Sequence, residues 1–326
     1  MPGKTVSNQC DDVRRVSTPA YFLDRYWRAL EEQGWEAIVL HSWRDLPQRI
    51  DSDIDYAVRG PTPGDLMRFL FQFSRRHGWH MVQAIEHEPG AIFCVCQQAA
   101  PPFEALQLDV TWSYRRRGHV LLSAELLFEN NRTIPGKVFR VPSPGSEFIY
   151  LLAKAAAKGK DFGRVEQRLD ELLHEDAEGC HSIAGRAFGE VPPADSRIQS
   201  WEMWLGATSA FKPVRRGRKF GIGELGLYLR RIFRPTGFYL IVGPDPYNRD
   251  VEYVVKNLLP SFREWIVITD AGLRNYVRRK VALVRTHLVI NVTTTPRYKP
   301  SPDAIVARAL ETLASRLDKR LAKTRE

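Results

Sequence analysis

Long apolar runs are missing from this 326-residue chain. No stretch approaches the roughly 20 consecutive apolar residues that span a bilayer, and residues 1–15 lack the apolar segment of a secretory leader. A chain without a transmembrane segment, working in the cytoplasm, is expected. Cysteine is scarce as well, with only Cys10, Cys94, Cys96 and Cys180. Their spacing is neither that of a zinc ribbon nor that of a disulfide framework, so reduced thiols are expected. No internal repeat or low-complexity tract occurs. Acid thins out towards the C-terminus: residues 1–200 hold 24 Lys+Arg against 27 Asp+Glu, a net of −3, whereas residues 201–326 hold 24 against 11, a net of +13. A basic surface of that kind favours an anionic partner such as nucleic acid, an acidic lipid head group or a phosphorylated sugar, without choosing among them.

At about 150 residues per domain the length suggests two domains, with about three quarters of the extended surface buried on folding. Thr18-Pro19 supplies an N-cap and N1 pair for a helix with Phe22, Tyr26, Trp27 and Leu30 on one side, stopped at Gly34. A strand over 37–40, a polar segment, a strand over 54–58 and a helix over 63–76 follow. Strand-like runs then fall at 79–85, 92–96 and 105–112. This order describes an α/β sandwich with a mixed sheet. After Pro142 and Pro144 the pattern is helical, over 147–158, 162–174 and around Trp201–Leu205. From 212 to 234 eight basic residues and one acid, Glu224, are interrupted by four glycines, which reads as a basic linker ending in a helix over 225–233. A βαβ-like unit closes the chain, with strands at 238–242, 265–269 and 288–292 and helices at 250–259, 273–285 and 303–321.

Asp53-Ile54-Asp55 is the strongest chemical signal. On a strand, residues i and i+2 share a face, so the carboxylates stand together while Ile54 enters the core. Adjacent like charges repel unless a divalent cation lies between them, and Mg²⁺ is commonly held by one or two carboxylates plus phosphate oxygens. Asp109, within Leu106-Gln107-Leu108-Asp109-Val110, is a third candidate. Three carboxylates on neighbouring strands could hold two metals roughly 3.5–4 Å apart, an arrangement suited to in-line displacement at phosphorus. An Asp-x-Asp triplet alone is common and more often marks a solvated turn at a strand end.

The wider pattern resembles the nucleotidyltransferase superfamily of the DNA polymerase β-type fold. That signature is an apolar strand, Gly, Gly or Ser, about ten residues, Asp-x-Asp, and a third Asp on a later strand. Here Val39-Leu40-His41-Ser42-Trp43-Arg44-Asp45-Leu46-Pro47 leads to Ser52-Asp53-Ile54-Asp55-Tyr56, with ten residues between Ser42 and Asp53. The segment is similar to a bacterial branch of uncharacterised nucleotidyltransferases found beside surface-polysaccharide genes, often joined to a thymidylate-kinase-like domain. The resemblance covers about residues 20–160. It implies that Asp53 and Asp55 bind Mg²⁺ or Mn²⁺, that Asp109 binds one metal and helps deprotonate an attacking hydroxyl, and that His41, Ser42 and Arg44 lie at the nucleotide. His41 departs from the signature, placing a side chain where a glycine backbone usually approaches a phosphate. Lys154 and Lys158, four apart on the helix over 147–158, are further candidate contacts to the nucleoside triphosphate, although a solvated helix face is the more ordinary account of them.

Residues 234–245, Arg-Pro-Thr-Gly-Phe-Tyr-Leu-Ile-Val-Gly-Pro-Asp, resemble the entry to a thymidylate-kinase-like phosphate loop. A working loop has Gly-Lys-Ser/Thr where Asn248, Arg249 and Asp250 stand here, and Pro246 removes an amide. A degenerate kinase-like module without kinase activity is therefore expected. The implied organisation is a catalytic domain over 18–145, a helical subdomain over 146–211, the linker over 212–235 and the kinase-like domain over 236–326.

Other signals read as structural. Asp161-Phe162-Gly163 matches the protein-kinase triplet in letters only, with no His-Arg-Asp loop before it. Cys94 and Cys96 share a strand face and suit a core better than a metal. His80 and His87 have no evident nucleophile to serve. Trp201 and Trp204 suit a core, and Phe220, Tyr228 and Phe233 a packed linker. The resulting expectation is a metal-dependent enzyme transferring a nucleoside monophosphate from a nucleoside triphosphate to a hydroxyl or phosphate acceptor, with an anionic acceptor and a partner or self-association surface in the C-terminal part. The alternatives are a non-catalytic scaffold in glycan assembly, favoured by His41 and the broken loop, and an RNA- or DNA-binding protein, favoured by the basic C-terminal part.

Overall fold

The structure, a computed structural model, describes residues 18–116, 119–158, 165–188, 238–242, 249–258, 264–268, 288–291 and 301–323. Cys10, Lys160, the 161–163 triplet, the aromatic residues around 201–205, the linker at 212–235, the loop at 243–248 and the expected helix over 273–285 lie outside them.

Helix α1 (Pro19–Glu32) opens where sequence places it, with the Thr18 hydroxyl accepting from the Tyr21 amide at 3.3 Å and proline at N1. Gln33 caps it, and Gly34 turns the chain away at φ +71°. Strand β1 (Glu36–Val39) runs antiparallel to β2 (Ile54–Arg59), with Val39 opposite Tyr56. Helix α2 (Pro63–Arg76) begins at a reciprocal cap between Thr62 and Asp65. A meander follows, β3 (Trp79–Glu88), β4 (Ala91–Gln98) and β5 (Ala105–Thr111), and β5 pairs in parallel with β2.

The hairpin β6 (Tyr114–Arg116) and β7 (His119–Leu122), helix α3 (Ala124–Phe128), and strands β8 (Arg132–Thr133) and β9 (Arg140–Val141) come next. The expected α/β class with a mixed sheet is what forms, seven strands in the order β3-β4-β5-β2-β1-β9-β8. The two-residue strands β8 and β9 were not foreseen, because they are too short to carry a period. Helices α4 (Pro144–Lys158), α5 (Glu166–Glu175) and α6 (Ala177–Phe188) follow. Further on, β10 (Phe238–Val242), α7 (Arg249–Leu258), β11 (Glu264–Ile268), β12 (Leu288–Asn291) and α8 (Pro302–Lys323) fall close to their expected positions. The three strands form a parallel sheet ordered β11-β10-β12.

Alternation along the strands assigns the faces. Ile54, Tyr56, Val58, Leu106, Leu108 and Val110 pack with α1 and α2, where the buried Tyr26 and Tyr56 hydroxyls meet at 2.6 Å. Burial pushes the Cys96 thiol on this face up to about 12. Ile38, Leu40 and Ala57 turn the other way, onto α4, α5 and α6. Asp53 and Asp55, in phase with Ala57, therefore face the α4 side. On that same side of the sheet, but over β3 and β4, Val82, Val95 and Phe103 pack under α7 and α8. The Gln97 side-chain amide donates to the Asn257 carbonyl, and Arg320 donates to the Ala84 carbonyl at 2.7 Å. Among the described residues, no helix is long and apolar enough to cross a membrane.

Gly145 lets α4 and α6 approach closely. A Cβ there would stand 2.7 Å from the Gly179 carbonyl oxygen, inside van der Waals contact. This crossing helps fix α4, the helix that carries Tyr150 and Lys154 to the sheet.

Candidate functional site

The parallel β2–β5 pairing sets Asp55 directly beside Asp109, and Asp53 immediately precedes β2. One oxygen of each carboxylate lies within 4.8 Å of the others. The strand alternation and the register thus deliver the convergence that the Asp-x-Asp spacing and the Asp109 pattern suggest.

Asp55 is the buried member, with 11% of its side chain exposed against 27% for Asp109. Three side chains close on it. The Tyr150 hydroxyl donates to Oδ1 at 3.2 Å, while Lys154 Nζ at 3.0 Å and His41 Nε2 at 2.8 Å reach Oδ2. Burial alone would raise the Asp55 pKa, but the His41 hydrogen bond and charge, together with Lys154, outweigh it and hold the carboxyl well below its usual range. Tyr150 moves the opposite way. Burial and the neighbouring Asp55 charge push its phenol well above the usual value, so it remains a donor.

Lys154 Nζ also lies 2.6 Å from His41 Nε2. On the other side of the ring, Nδ1 lies 2.7 Å from the Ser42 hydroxyl. His41 stacks on Tyr150 with centroids 5.8 Å apart, and Lys154 stands 5.5 Å above the same ring. The imidazole that replaces the signature glycine is therefore folded back onto Asp55. Ser42 takes the left-handed conformation at φ +56°, uncommon for a residue with a Cβ, and its exposed hydroxyl borders the cleft.

That cleft has a volume of about 370 Å³ and is bordered by Ser42, Trp43, Arg44, Asp53 and Arg168, among others. Its wall is pinned by Glu147, which is almost fully buried and accepts from Arg168 Nε at 2.8 Å, Arg168 Nη2 at 2.7 Å and Trp43 Nε1 at 3.2 Å. A planar fork on a carboxylate fixes orientation as well as distance. Arg44, expected near a nucleotide, pairs with Glu171 at 2.7 Å on the rim and is more than half exposed. Lys158 ends α4, and its side chain lies outside the described residues. The Glu147–Arg168 fork escaped sequence reasoning because 21 residues and a helix boundary separate the pair.

His87 is the other unforeseen neighbour. Its Nε2 lies 2.9 Å from Asp109 Oδ1. The β3–β4 register shifts between Glu86 and Glu88, leaving His87 as the extra residue of a bulge, and from there it reaches across β4. Bulges re-aim side chains in this way, and nothing in the local sequence announces one.

The donor set fits a divalent cation. Three carboxylates meet at one point, and the Lys154 ammonium stands in the position of a counter-charge to the most buried one. Among the described residues, no ion pair or side-chain hydrogen bond engages the Asp53 carboxylate, leaving its oxygens available as ligands.

No protein-family model matches the chain, and no curated protein is significantly similar to it. A similar solved structure is that of an antigenic nucleotidyltransferase-like protein from Paracoccidioides brasiliensis, 15% identical with a TM-score of 0.32, the match covering 60% of this chain and 88% of that one.

Proposed function

We propose that this chain is a metal-dependent nucleotidyltransferase. It moves a nucleoside monophosphate from a nucleoside triphosphate onto a hydroxyl or phosphate acceptor and releases pyrophosphate. The observation that carries this reading is the convergence of Asp53, Asp55 and Asp109 at the edge of a cleft bordered by Ser42. Asp53, Asp55 and Asp109 would hold Mg²⁺ or Mn²⁺, which when bound would neutralise the transferring phosphate and align attacking and leaving oxygens. Ser42 donates its hydroxyl to the outgoing phosphates. Arg44 leaves Glu171 to meet the same charge, and Lys154 remains beside Asp55 as a local positive charge. Asp109, the more exposed carboxylate, takes the acceptor's proton on Oδ2, the oxygen away from His87. The Glu147–Arg168 fork holds the cleft wall in place. The basic C-terminal part recruits the anionic acceptor, and the setting implied by the sequence resemblance is surface-glycan assembly in the cytoplasm.

Asp53→Asn tests this directly. Magnesium- or manganese-dependent pyrophosphate release should fall by about 10³-fold while the folded content is unchanged. Unchanged release would remove the reading. A second reading has its own support: His41 and Lys154 already engage Asp55, as in a binding protein with a disabled site. Calorimetric titration with four nucleoside triphosphates in Mn²⁺ separates the two, because a disabled site would give no heat with any of them. Binding of RNA at low salt, lost steeply as salt rises, would instead favour a nucleic-acid partner.

A further inference from the structure

His87 is not part of the Asp-x-Asp signature, and the reaction proposed above does not use it. Yet the bulge between Glu86 and Glu88 brings its Nε2 to 2.9 Å from Asp109 Oδ1, approaching from β3, whereas His41 follows β1 beyond the β5–β2 pair and Lys154 descends from α4. Two ligands at about 2.1 Å from an octahedral ion, at right angles to each other, stand about 3.0 Å apart. The His87–Asp109 pair has that spacing. We propose that His87 is a nitrogen ligand of the cation site, and that it makes the Asp109 side of the cluster a mixed nitrogen and oxygen site preferring a divalent first-row transition ion, Mn²⁺ or a heavier neighbour, over Mg²⁺.

The chemistry follows from the donors. Carboxylate and water suit Mg²⁺ and Mn²⁺ alike, whereas imidazole favours the transition metals, in the order Mn²⁺ below Fe²⁺ below Co²⁺. An all-carboxylate cluster would discriminate weakly among these ions. His41 is the less suitable nitrogen, because the Lys154 ammonium stands 2.6 Å from its Nε2 and would repel a cation there. The 36% exposure of the His87 side chain leaves room for an ion and its waters beside Asp109. The inference rests on the cation-site reading of the previous subsection and refines which ion that site selects.

Pulsed electron paramagnetic resonance of Mn²⁺ bound to the full chain supplies the test. Nitrogen-14 modulation should appear, change when the protein is labelled with nitrogen-15 histidine, disappear in His87→Ala and persist in His41→Ala. The labelling comparison needs no substitution and therefore does not depend on how any variant folds. Competition titration should show Mn²⁺ displacing Mg²⁺, and His87→Ala should weaken Mn²⁺ by about tenfold or more while changing Mg²⁺ far less. Mn²⁺ bound with oxygen ligands only, or a nitrogen signal that survives His87→Ala, would overturn the proposal. In either case Asp53→Asn would still abolish pyrophosphate release, so the enzyme reading would stand. Failure of every divalent ion to bind would sink both.

Discussion

Asp55 and Asp109 are partners across one parallel strand pair, yet the protein treats them differently. Asp55 lies under α4, ionised and held by Lys154, His41 and Tyr150, whereas Asp109, on the neighbouring strand β5, is more exposed and has His87 beside it. Three side chains of the fold close on Asp55 before any ligand arrives, whereas the Asp109 side is the more exposed flank. Register alone places the carboxylates. The helix above one and the bulge beside the other decide what each can do.

The sharpest way to break this comparison is to neutralise each carboxylate in turn. Asp55→Asn and Asp109→Asn should each lower pyrophosphate release by about 10³-fold, the scale expected when an electrostatic element of a transition state is removed. Only Asp55→Asn should also destabilise the fold, by about 2–3 kcal/mol in urea unfolding, because it leaves the Lys154 ammonium beside a neutral amide. The pH dependence has a fixed sign. Since the folded-state pKa of Asp55 is depressed, its contribution is complete above the ordinary carboxylate value of 3.8 and is lost as pH falls through the lower folded value. The stability gap between wild type and Asp55→Asn should therefore close on acidification. Equal stability losses for the two variants would erase the asymmetry.

The open and closed flanks were not equally legible in the sequence. Alternation around Ile54 and Leu108 was enough to place the carboxylates on one face, and the helical period from Glu147 placed Lys154 on α4. Its protein partner was not readable, because only the packing of α4 over β2 brings Lys154 to Asp55. His41 looked like an obstacle to phosphate approach, and only the fold turns its ring onto Asp55 and Tyr150. Nothing in the sequence brings His87 to the site, because its contact with Asp109 depends on a bulge, and bulges arise from pairing between strands. The C-terminal helix offers a similar case. A helix over 303–321 is expected from the sequence, but that Val306 and Leu313 cover Val82 and Val95 on β3 and β4 is a property of tertiary packing.

A milder perturbation acts on the scaffold of the closed flank. Gly145→Ala places a methyl group against the Gly179 carbonyl and Ile183, so α4 must shift or α6 must yield. The expected cost is about 1–3 kcal/mol, the usual range for overpacking, offset in part by the better helix propensity of alanine. If α4 positions Lys154, the affinity of the site for Mn²⁺ should change along with the melting temperature. A variant with an unchanged melting temperature would show that this crossing does not set the helix.

The smallest expected effect comes from Tyr150→Phe. The ring, its stack with His41 and its edge contact with Tyr114 all survive this change, and only the hydroxyl bonded to Asp55 Oδ1 is lost. A single hydrogen bond to a charged group contributes about 1.5–3 kcal/mol at most, and at 3.2 Å this one belongs at or below the lower end, about 1 kcal/mol. Removing a donor from the ionised form must raise the Asp55 pKa, so the acid limb of the stability curve should move to higher pH. No corresponding movement is expected for a substitution on the Asp109 side. If Tyr150→Phe left that limb in place while lowering stability uniformly at all pH values, the hydroxyl would be filling space and would not be holding the charge of Asp55.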